Sequence, residues 1–397
     1  MKQLDSSQSI AVIGAGAMGS GIAQVAAQAG HHVILFDTNA AALERSRDQL
    51  SKVAQRLVNK ERWTQEQSDA IQQRIQRTES MEEVKPCALI IEAIIEDFNA
   101  KKSLLQRIEA MVTADTIIAT NTSSLSVTAL AGQLERPEQC IGLHFFNPAP
   151  LMALVEVVPA LQTDPKIGHS CHKLMEDWGK SPVIAKDTPG FIVNRVARPF
   201  YGEALRIAEE GTHDFEFIDE AMRAVGFRMG PFELMDLIGN YINYAVTSTV
   251  FEAFYHDSRY RPNLIQKSHI DAGWLGKKVK RGYFAYDNNG NKSIEQISSN
   301  NAKLTDEHGV VSNRIIAMLI NEAVDALRLK IASEADLETA MTKGVNYPIG
   351  LLKWGNDWGL NNVLEQLETL QNHYGEERYR PSPLLKKMVQ SGQKFRA

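Results

Sequence analysis

His144 closes the short apolar run Cys140-Ile141-Gly142-Leu143 and leads into Phe145-Phe146-Asn147-Pro148. Of the ten histidines in the chain, it alone ends a buried-looking strand between apolar residues. Twelve residues later, Glu156 stands in the middle of a second apolar run, Leu154-Val155-Glu156-Val157-Val158. A carboxylate in an apolar strand is costly unless it has a partner. The intervening Asn147-Pro148-Ala149-Pro150 turns the chain back, which makes His144 the obvious candidate. Such a pair is a base and its orienter: the carboxylate holds the imidazole and stabilises its protonated form. The competing reading is a structural histidine beside a glutamate satisfied by backbone or water.

A second constellation lies near the N-terminus. The run Ser9-Ile10-Ala11-Val12-Ile13 reads as a buried parallel strand and stops at Gly14-x-Gly16-x-x-Gly19, with helical periodicity beyond Met18. Gly14 permits a tight turn, Gly16 lets a pyrophosphate approach the backbone, and Gly19 lets the helix pack on the strand. The phosphates would then meet the free N–H groups at the start of that helix, around Ala17 and Met18. A second strand, His32-Val33-Ile34-Leu35-Phe36, ends in Asp37, eighteen residues past Gly19. That is close to the spacing of a carboxylate that accepts ribose hydroxyls. No arginine follows to take a 2′-phosphate, so the pattern favours NAD over NADP. The alternative is an ordinary strand–helix–strand unit whose Asp37 merely caps the next helix.

These groups need a framework. An amphipathic helix is expected over 40–62, carrying Lys60, and 67–77 continues in the same style. Ala88-Leu89-Ile90-Ile91-Glu92-Ala93 reads as a buried strand, with Glu96 and Lys101 following near the edge where a parallel sheet collects ligands. Thr116-Ile117-Ile118-Ala119 is another strand, ending in Asn121-Thr122-Ser123-Ser124-Leu125, whose small polar side chains either cap a helix or meet a ligand. A helix over 165–178 and a last strand, Pro182-Val183-Ile184-Ala185, precede the break Lys186-Asp187-Thr188-Pro189-Gly190. Beyond it the pattern is almost wholly helical. A helix expected over 191–208 carries Asn194, Arg195 and Arg198 near its start, bent by Pro199. The fold class is a Rossmann-type α/β dinucleotide-binding domain followed by all-α domains.

The helical part is duplicated. Asn194-Arg195 recurs as Asn313-Arg314, Gly202-Glu203-Ala204-Leu205 as Asn321-Glu322-Ala323-Val324, Ala221-Met222 as Ala340-Met341, and Tyr260-Arg261-Pro262 as Tyr379-Arg380-Pro381. All four pairs share an offset of 119, and Met229-Gly230 matches Ile349-Gly350 at one more. The expected organisation is therefore 1–187 for the NAD-binding domain, 188–287 for the first helical copy, 288–310 for a polar linker and 311–397 for the second copy. No dinucleotide half precedes the second copy, so it is not a second complete catalytic unit. Asparagine recurs at 313, so part of the reason for Asn194 is structural.

Composition bounds the rest. A chain of 397 residues, 44% hydrophobic and 23% charged, has material for two or three domains with sizeable cores. A net charge of -5 argues against nucleic acid or an anionic membrane as the main partner. The first eight residues lack the basic-then-apolar pattern of a signal peptide, and no apolar run approaches a membrane span. Cys87, Cys140 and Cys171 read as reduced, buried thiols in a cytoplasmic protein. His169 and His172 share a helix face with no third ligand in view, so no metal site is expected.

Taken together, Gly14-Ala15-Gly16-Ala17-Met18-Gly19, Asn121-Thr122-Ser123-Ser124-Leu125, Leu143-His144-Phe145-Phe146-Asn147-Pro148, Leu154-Val155-Glu156-Val157-Val158, Asp187-Thr188-Pro189-Gly190-Phe191-Ile192-Val193-Asn194-Arg195 and Met229-Gly230-Pro231-Phe232-Glu233-Leu234 fall in order along 10–286. In this the chain resembles the L-3-hydroxyacyl-CoA dehydrogenase family. The resemblance implies NAD as cofactor and an acyl-CoA substrate with a short chain, 3-hydroxybutyryl-CoA or 3-hydroxyadipyl-CoA, in β-oxidation or phenylacetate breakdown. It makes His144 the catalytic base with Glu156 pairing to it, and sets Ser123 and Asn194 on the substrate's 3-oxygen. Asn147 would shape the nicotinamide end, Asp37 would hold the adenine ribose, and Glu96 and Lys101 would lie along the cofactor. Lys60 matches a family lysine near the CoA phosphates, whereas Val53 stands where the family has a serine. Short members dimerise through the helical domain, so the second copy implies either a pseudo-symmetric monomer or a further homodimer contact. The rival readings are a dehydrogenase of a free hydroxy acid, such as the gulonate enzymes, and a crystallin-like relative without activity.

Overall fold

A computed structural model describes residues 4–293 and 305–396; residues 294–304 of the expected linker lie outside them. The chain forms two compact units, Met1–Phe191 and Ile192–Ala397.

The first unit is built on one eight-stranded sheet: β1 (Ile10–Ile13), β2 (Val33–Phe36), β3 (Ile75–Thr78), β4 (Leu89–Glu92), β5 (Ile117–Thr120), β6 (Cys140–Phe145), β7 (Leu154–Pro159) and β8 (Ser181–Ile184). Their spatial order is β3-β2-β1-β4-β5-β6-β7-β8. Every neighbouring pair is parallel except β6 and β7, which run antiparallel. β1, β2, β4 and β5 are buried along their whole length, the reason they read as continuous apolar runs rather than alternating ones. Helices cover the sheet, and Ile22, Val25, Ala26 and Leu43 pack with β1 and β2 into the core.

Two local expectations need correction. The helical reading of 67–77 ends early: a helix Gln65–Gln73, started by a Thr64–Gln67 capping box, gives way to the edge strand β3. The helix expected over 191–208 is two helices, Val193–Val196 and Arg198–Glu209. Pro199 does not bend a continuous helix; it sits in the first turn of the second one, where its missing N–H has no partner to lose.

Among its described residues the second unit is helical apart from isolated bridges near 276–292, and it holds both copies. The longest helix described there, Asp306–Arg328, runs 23 residues and begins the second copy ahead of the expected start at 311, inside the expected linker. The two copies are tied by a reciprocal exchange of charged side chains. Arg195 Nε donates to Glu322 Oε1 at 2.6 Å, and its counterpart Arg314 donates to Glu203 Oε1 at 2.6 Å. Tyr260 Oη reaches Glu322 Oε1 at 2.6 Å, and Tyr379 Oη reaches Glu203 Oε1 at 2.7 Å. Arg259 and Arg378 complete the pattern at 3.5 and 3.6 Å from the same two glutamates. Each copy's glutamate thus neutralises the other copy's arginine, and both glutamates are buried.

Removing one partner of a buried, hydrogen-bonded charge cluster leaves uncompensated charge, at a cost of about 3–5 kcal/mol. Glu322→Ala should therefore lower the free energy of unfolding by about that amount in a urea titration. A change of a few tenths of a kcal/mol would show that the exchange contributes little.

Candidate active site

Three clusters in the first unit gather at the carboxyl ends of β1, β2, β4, β5 and β6. The first is the glycine turn after β1. Gly14 has φ +105°, a conformation that L side chains rarely adopt, and a Cβ there would lie 2.7 Å from the Ala93 carbonyl oxygen. A Cβ on Gly19 would lie 1.8 Å from the Gly14 carbonyl oxygen, so the helix packs too closely for any side chain. Gly16 differs: a Cβ there meets no atom within 4 Å. Its glycine is not demanded by protein packing, and the space it leaves open is where a pyrophosphate would lie against the backbone. The helix Ala17–Gln28 begins at Gly16 with no side-chain cap and no acidic residue in its first turn. The N–H groups at Ala17, Met18 and Gly19 therefore point out of the helix end, a ready anion site. At the end of β2, Asp37 Oδ2 accepts from Ala15 N at 2.7 Å and Oδ1 from Asn39 N at 2.9 Å. The capping role goes to Asn39, which accepts from Ala42 N, leaving Asp37 half-buried beside the turn. These residues fit an NAD molecule.

The second cluster joins β4 to the loop after β5. Five donors converge on Glu96 Oε1: Thr122 Oγ1 at 2.6 Å, Ser123 N at 2.8 Å, Ser124 N at 3.1 Å, Ser124 Oγ at 3.1 Å and Ser123 Oγ at 3.3 Å. Its other oxygen lies 3.3 Å from Lys101 Nζ. Burial alone would raise the Glu96 carboxyl, but the Lys101 charge, the Thr122 hydroxyl and the Ser123 N–H together bring it below its ordinary value. Lys101 is 1% exposed and also pairs with Glu92 at 2.7 Å. The Lys101 ammonium is enclosed between two carboxylates and holds Glu96 in place. Glu92, which the sequence reading passed over, is fully buried and also accepts from Thr120 Oγ1 at 2.6 Å and Ile94 N at 2.7 Å. Its signal was a carboxylate ending an apolar strand nine residues before a lysine at a helix start.

The third cluster is the histidine pair. β6 and β7 place His144 directly opposite Glu156, and Nδ1 lies 2.6 Å from Glu156 Oε2. Both are buried, the glutamate completely. A carboxylate accepts, so Nδ1 carries the hydrogen and Nε2 is the nitrogen left for a substrate. The ring packs against Phe146 at 4.5 Å and Phe191 at 5.8 Å between centroids. Phe191 has φ +48°, a strained value for a bulky residue, while its ring is buried against the imidazole. Asn121 Oδ1 accepts from Phe145 N at 2.8 Å, which ties the Ser123 loop to the end of the histidine strand.

Asn147 is exposed two residues beyond the end of β6. Lys60 is exposed at the far end of the helix Ala40–Asn59, about 30 Å along its axis from the Asp37 end. Asn194 is half-buried in the second unit, in the helix Val193–Val196.

This geometry finds close parallels. Residues 9–188 match the family described as 3-hydroxyacyl-CoA dehydrogenase, NAD binding domain, and residues 190–286 and 309–397 each match its C-terminal domain. The chain belongs to the 3-hydroxyacyl-CoA dehydrogenase family. Its cofactor is NAD, and the first unit is the family's NAD-binding domain. The chain is 37% identical to the 3-hydroxyadipyl-CoA dehydrogenase of Escherichia coli K12, over 97% of this chain and 98% of that protein. It is 38% identical to a 3-hydroxybutyryl-CoA dehydrogenase of Clostridioides difficile, over 70% of this chain and 99% of that one. A crystal structure of 3-hydroxybutyryl-CoA dehydrogenase from E. coli K12 superposes with a TM-score of 0.90 at 37% identity, covering 97% and 99% of the two chains. No helix among the described residues is long and apolar enough to cross a membrane.

The contrast among the glycines is testable. Gly16→Ala should fold with stability within about 0.5 kcal/mol of the parent, yet bind NADH about tenfold more weakly in a fluorescence titration. Gly19→Ala should lower stability by about 1–3 kcal/mol or more, since a backbone carbonyl has to move. Equal destabilisation by both would remove Gly16 from the cofactor cradle.

Proposed function

We propose that this protein interconverts a short L-3-hydroxyacyl-CoA and the corresponding 3-oxoacyl-CoA. The observation that carries the reading is the buried His144–Glu156 pair, with Nδ1 committed to the carboxylate and Nε2 left to work. When bound, NAD takes up the hydride that leaves C3. His144 Nε2 removes the proton of the 3-hydroxyl as the carbonyl forms. The imidazolium so produced faces the Glu156 carboxylate in a water-poor setting, where opposite charges attract strongly. In the reverse direction the same nitrogen returns its proton to the developing alkoxide.

Around this step, Ser123 and Asn194 hydrogen-bond the 3-oxygen, and Glu96 sets the loop that presents Ser123. Asp37 receives the adenine ribose hydroxyls, Asn147 borders the nicotinamide end, and Lys60 meets the phosphates of CoA. The reciprocal charge exchange supports a reading of the second helical copy as standing where a partner subunit's domain would stand. An activity of this kind serves the oxidation of acyl-CoA chains.

Loss of NADH absorbance with acetoacetyl-CoA and its gain with 3-hydroxyadipyl-CoA and NAD are the direct tests, and no turnover of either would refute this reading in favour of a free hydroxy acid or no catalysis. His144→Gln should lower kcat by about 10²–10⁴-fold, the usual worth of a positioned acid–base group, while NADH affinity stays within about twofold. A folded H144Q protein that no longer binds NADH would remove His144 from the role of base.

A further inference from the structure

Arg198 opens the helix Arg198–Glu209 and is 7% exposed. Among the described residues it forms no ion pair. Nη1 donates to Thr247 Oγ1 at 3.1 Å, the guanidinium carbon lies 4.9 Å from the centre of the Tyr201 ring, and Nε has no hydrogen-bond partner. The other buried arginines of this unit are treated differently. Arg195 faces Glu322 and Asp325, Arg314 faces Glu203 and Glu210, and Arg378 faces Glu203 and Glu376. A buried cation without a counter-charge costs several kcal/mol, and a ligand anion would remove that cost. A second unsatisfied donor lies in the same cluster. The Tyr347 hydroxyl has no partner, the residue is 6% exposed, and its ring lies 5.9 Å from that of Phe200, which also packs against Tyr201.

The duplication separates structural need from ligand need. The position 119 residues after Arg198 is Ala317, fully buried. The helices that begin after Gly239 and Gly359 align Thr247 with Leu367, also fully buried. The second copy therefore builds the same framework with apolar side chains where the first copy has the cation and its hydroxyl partner. By contrast Arg195, Glu203, Arg259 and Tyr260, which do structural work, all recur.

We propose that Arg198 binds the terminal carboxylate of the substrate, so that the preferred acyl-CoA carries a dicarboxylic acyl chain. This rests on the dehydrogenase reading above. A guanidinium offers paired N–H donors matched to a carboxylate, and the Tyr347 hydroxyl adds a third. Arg198 stands four residues after Asn194, at the start of the helix that follows Asn194's own, and Asn194 is the residue assigned to the 3-oxygen. In a six-carbon diacid the far carboxylate stands three carbon–carbon bonds from C3, a short reach that suits two residues this near in the chain.

The test compares 3-hydroxyadipyl-CoA with 3-hydroxyhexanoyl-CoA, which has the same chain length and a methyl end. With NAD, the parent enzyme should favour the diacid by at least about tenfold in kcat/KM, mainly through KM, as expected for one charge-assisted contact. In Arg198→Gln the ratio of the two kcat/KM values should fall by at least the same factor. A parent enzyme without preference, or a variant that loses both activities with the ratio intact, overturns the proposal. Should R198Q fail to fold, adipyl-CoA and hexanoyl-CoA are compared as inhibitors of acetoacetyl-CoA reduction by the parent. Adipyl-CoA is expected to inhibit about tenfold more strongly, and equal inhibition overturns the assignment. Silence of the parent on every CoA substrate would instead remove the dehydrogenase reading, and this proposal with it.

Discussion

A single antiparallel rung governs the chemistry of the first unit. Six strands of the sheet, β1 to β6, run one way, and β7 and β8 run the other, because β7 returns directly from β6. A parallel return would need a long crossover and would carry Glu156 away from His144. The direct return puts imidazole and carboxylate on the same face, opposite each other, where paired side chains are close enough to bond. Everything else near the pair maintains that rung. Asn121 fastens the neighbouring loop to it, and Phe146 and Phe191 exclude water from the ring.

Much of this was legible in the chain. Strands buried on both faces announce themselves as unbroken apolar runs, so β1, β2, β4, β5 and β6 stood out, and with them the residues at their carboxyl ends. His144 and Glu156 were readable as a pair because each interrupts such a run. β3 was not, because an edge strand of four residues, Ile75-Gln76-Arg77-Thr78, is half polar and follows a helix without a break in composition. Glu92 and Lys101 left a faint trace in their nine-residue spacing, but the convergence of Glu96 on the β5 loop was hidden. The β4–helix connection and the β5 loop meet only once the sheet has formed, and no local spacing encodes that meeting. The serine-rich loop looked like a ligand site or a helix cap; its main visible task is to satisfy one carboxylate oxygen.

The helical unit shows how a duplication sorts its residues. The centre of the exchange, Arg195, Glu203, Arg259 and Tyr260, is kept in both copies, whereas the outer partners Glu210 and Asp325 stand opposite Leu329 and Arg206 in the repeat. Positions free of that duty are free to differ, as Arg198 and Ala317 do. An asymmetric position points to recognition only where, as at Arg198, the side chain has no counter-charge in the other copy.

The reciprocal exchange has a further consequence. Contacts in which residue i meets j and j meets i are the signature of an isologous interface between two separate molecules. Such an interface ordinarily weakens as its subunits are diluted, because association obeys mass action. Here both halves travel on one polypeptide, so these arginine–glutamate pairs form by an intramolecular event whose equilibrium is indifferent to concentration. Fusion has turned an assembly problem into a folding problem, and the helical unit stays assembled however scarce the protein becomes.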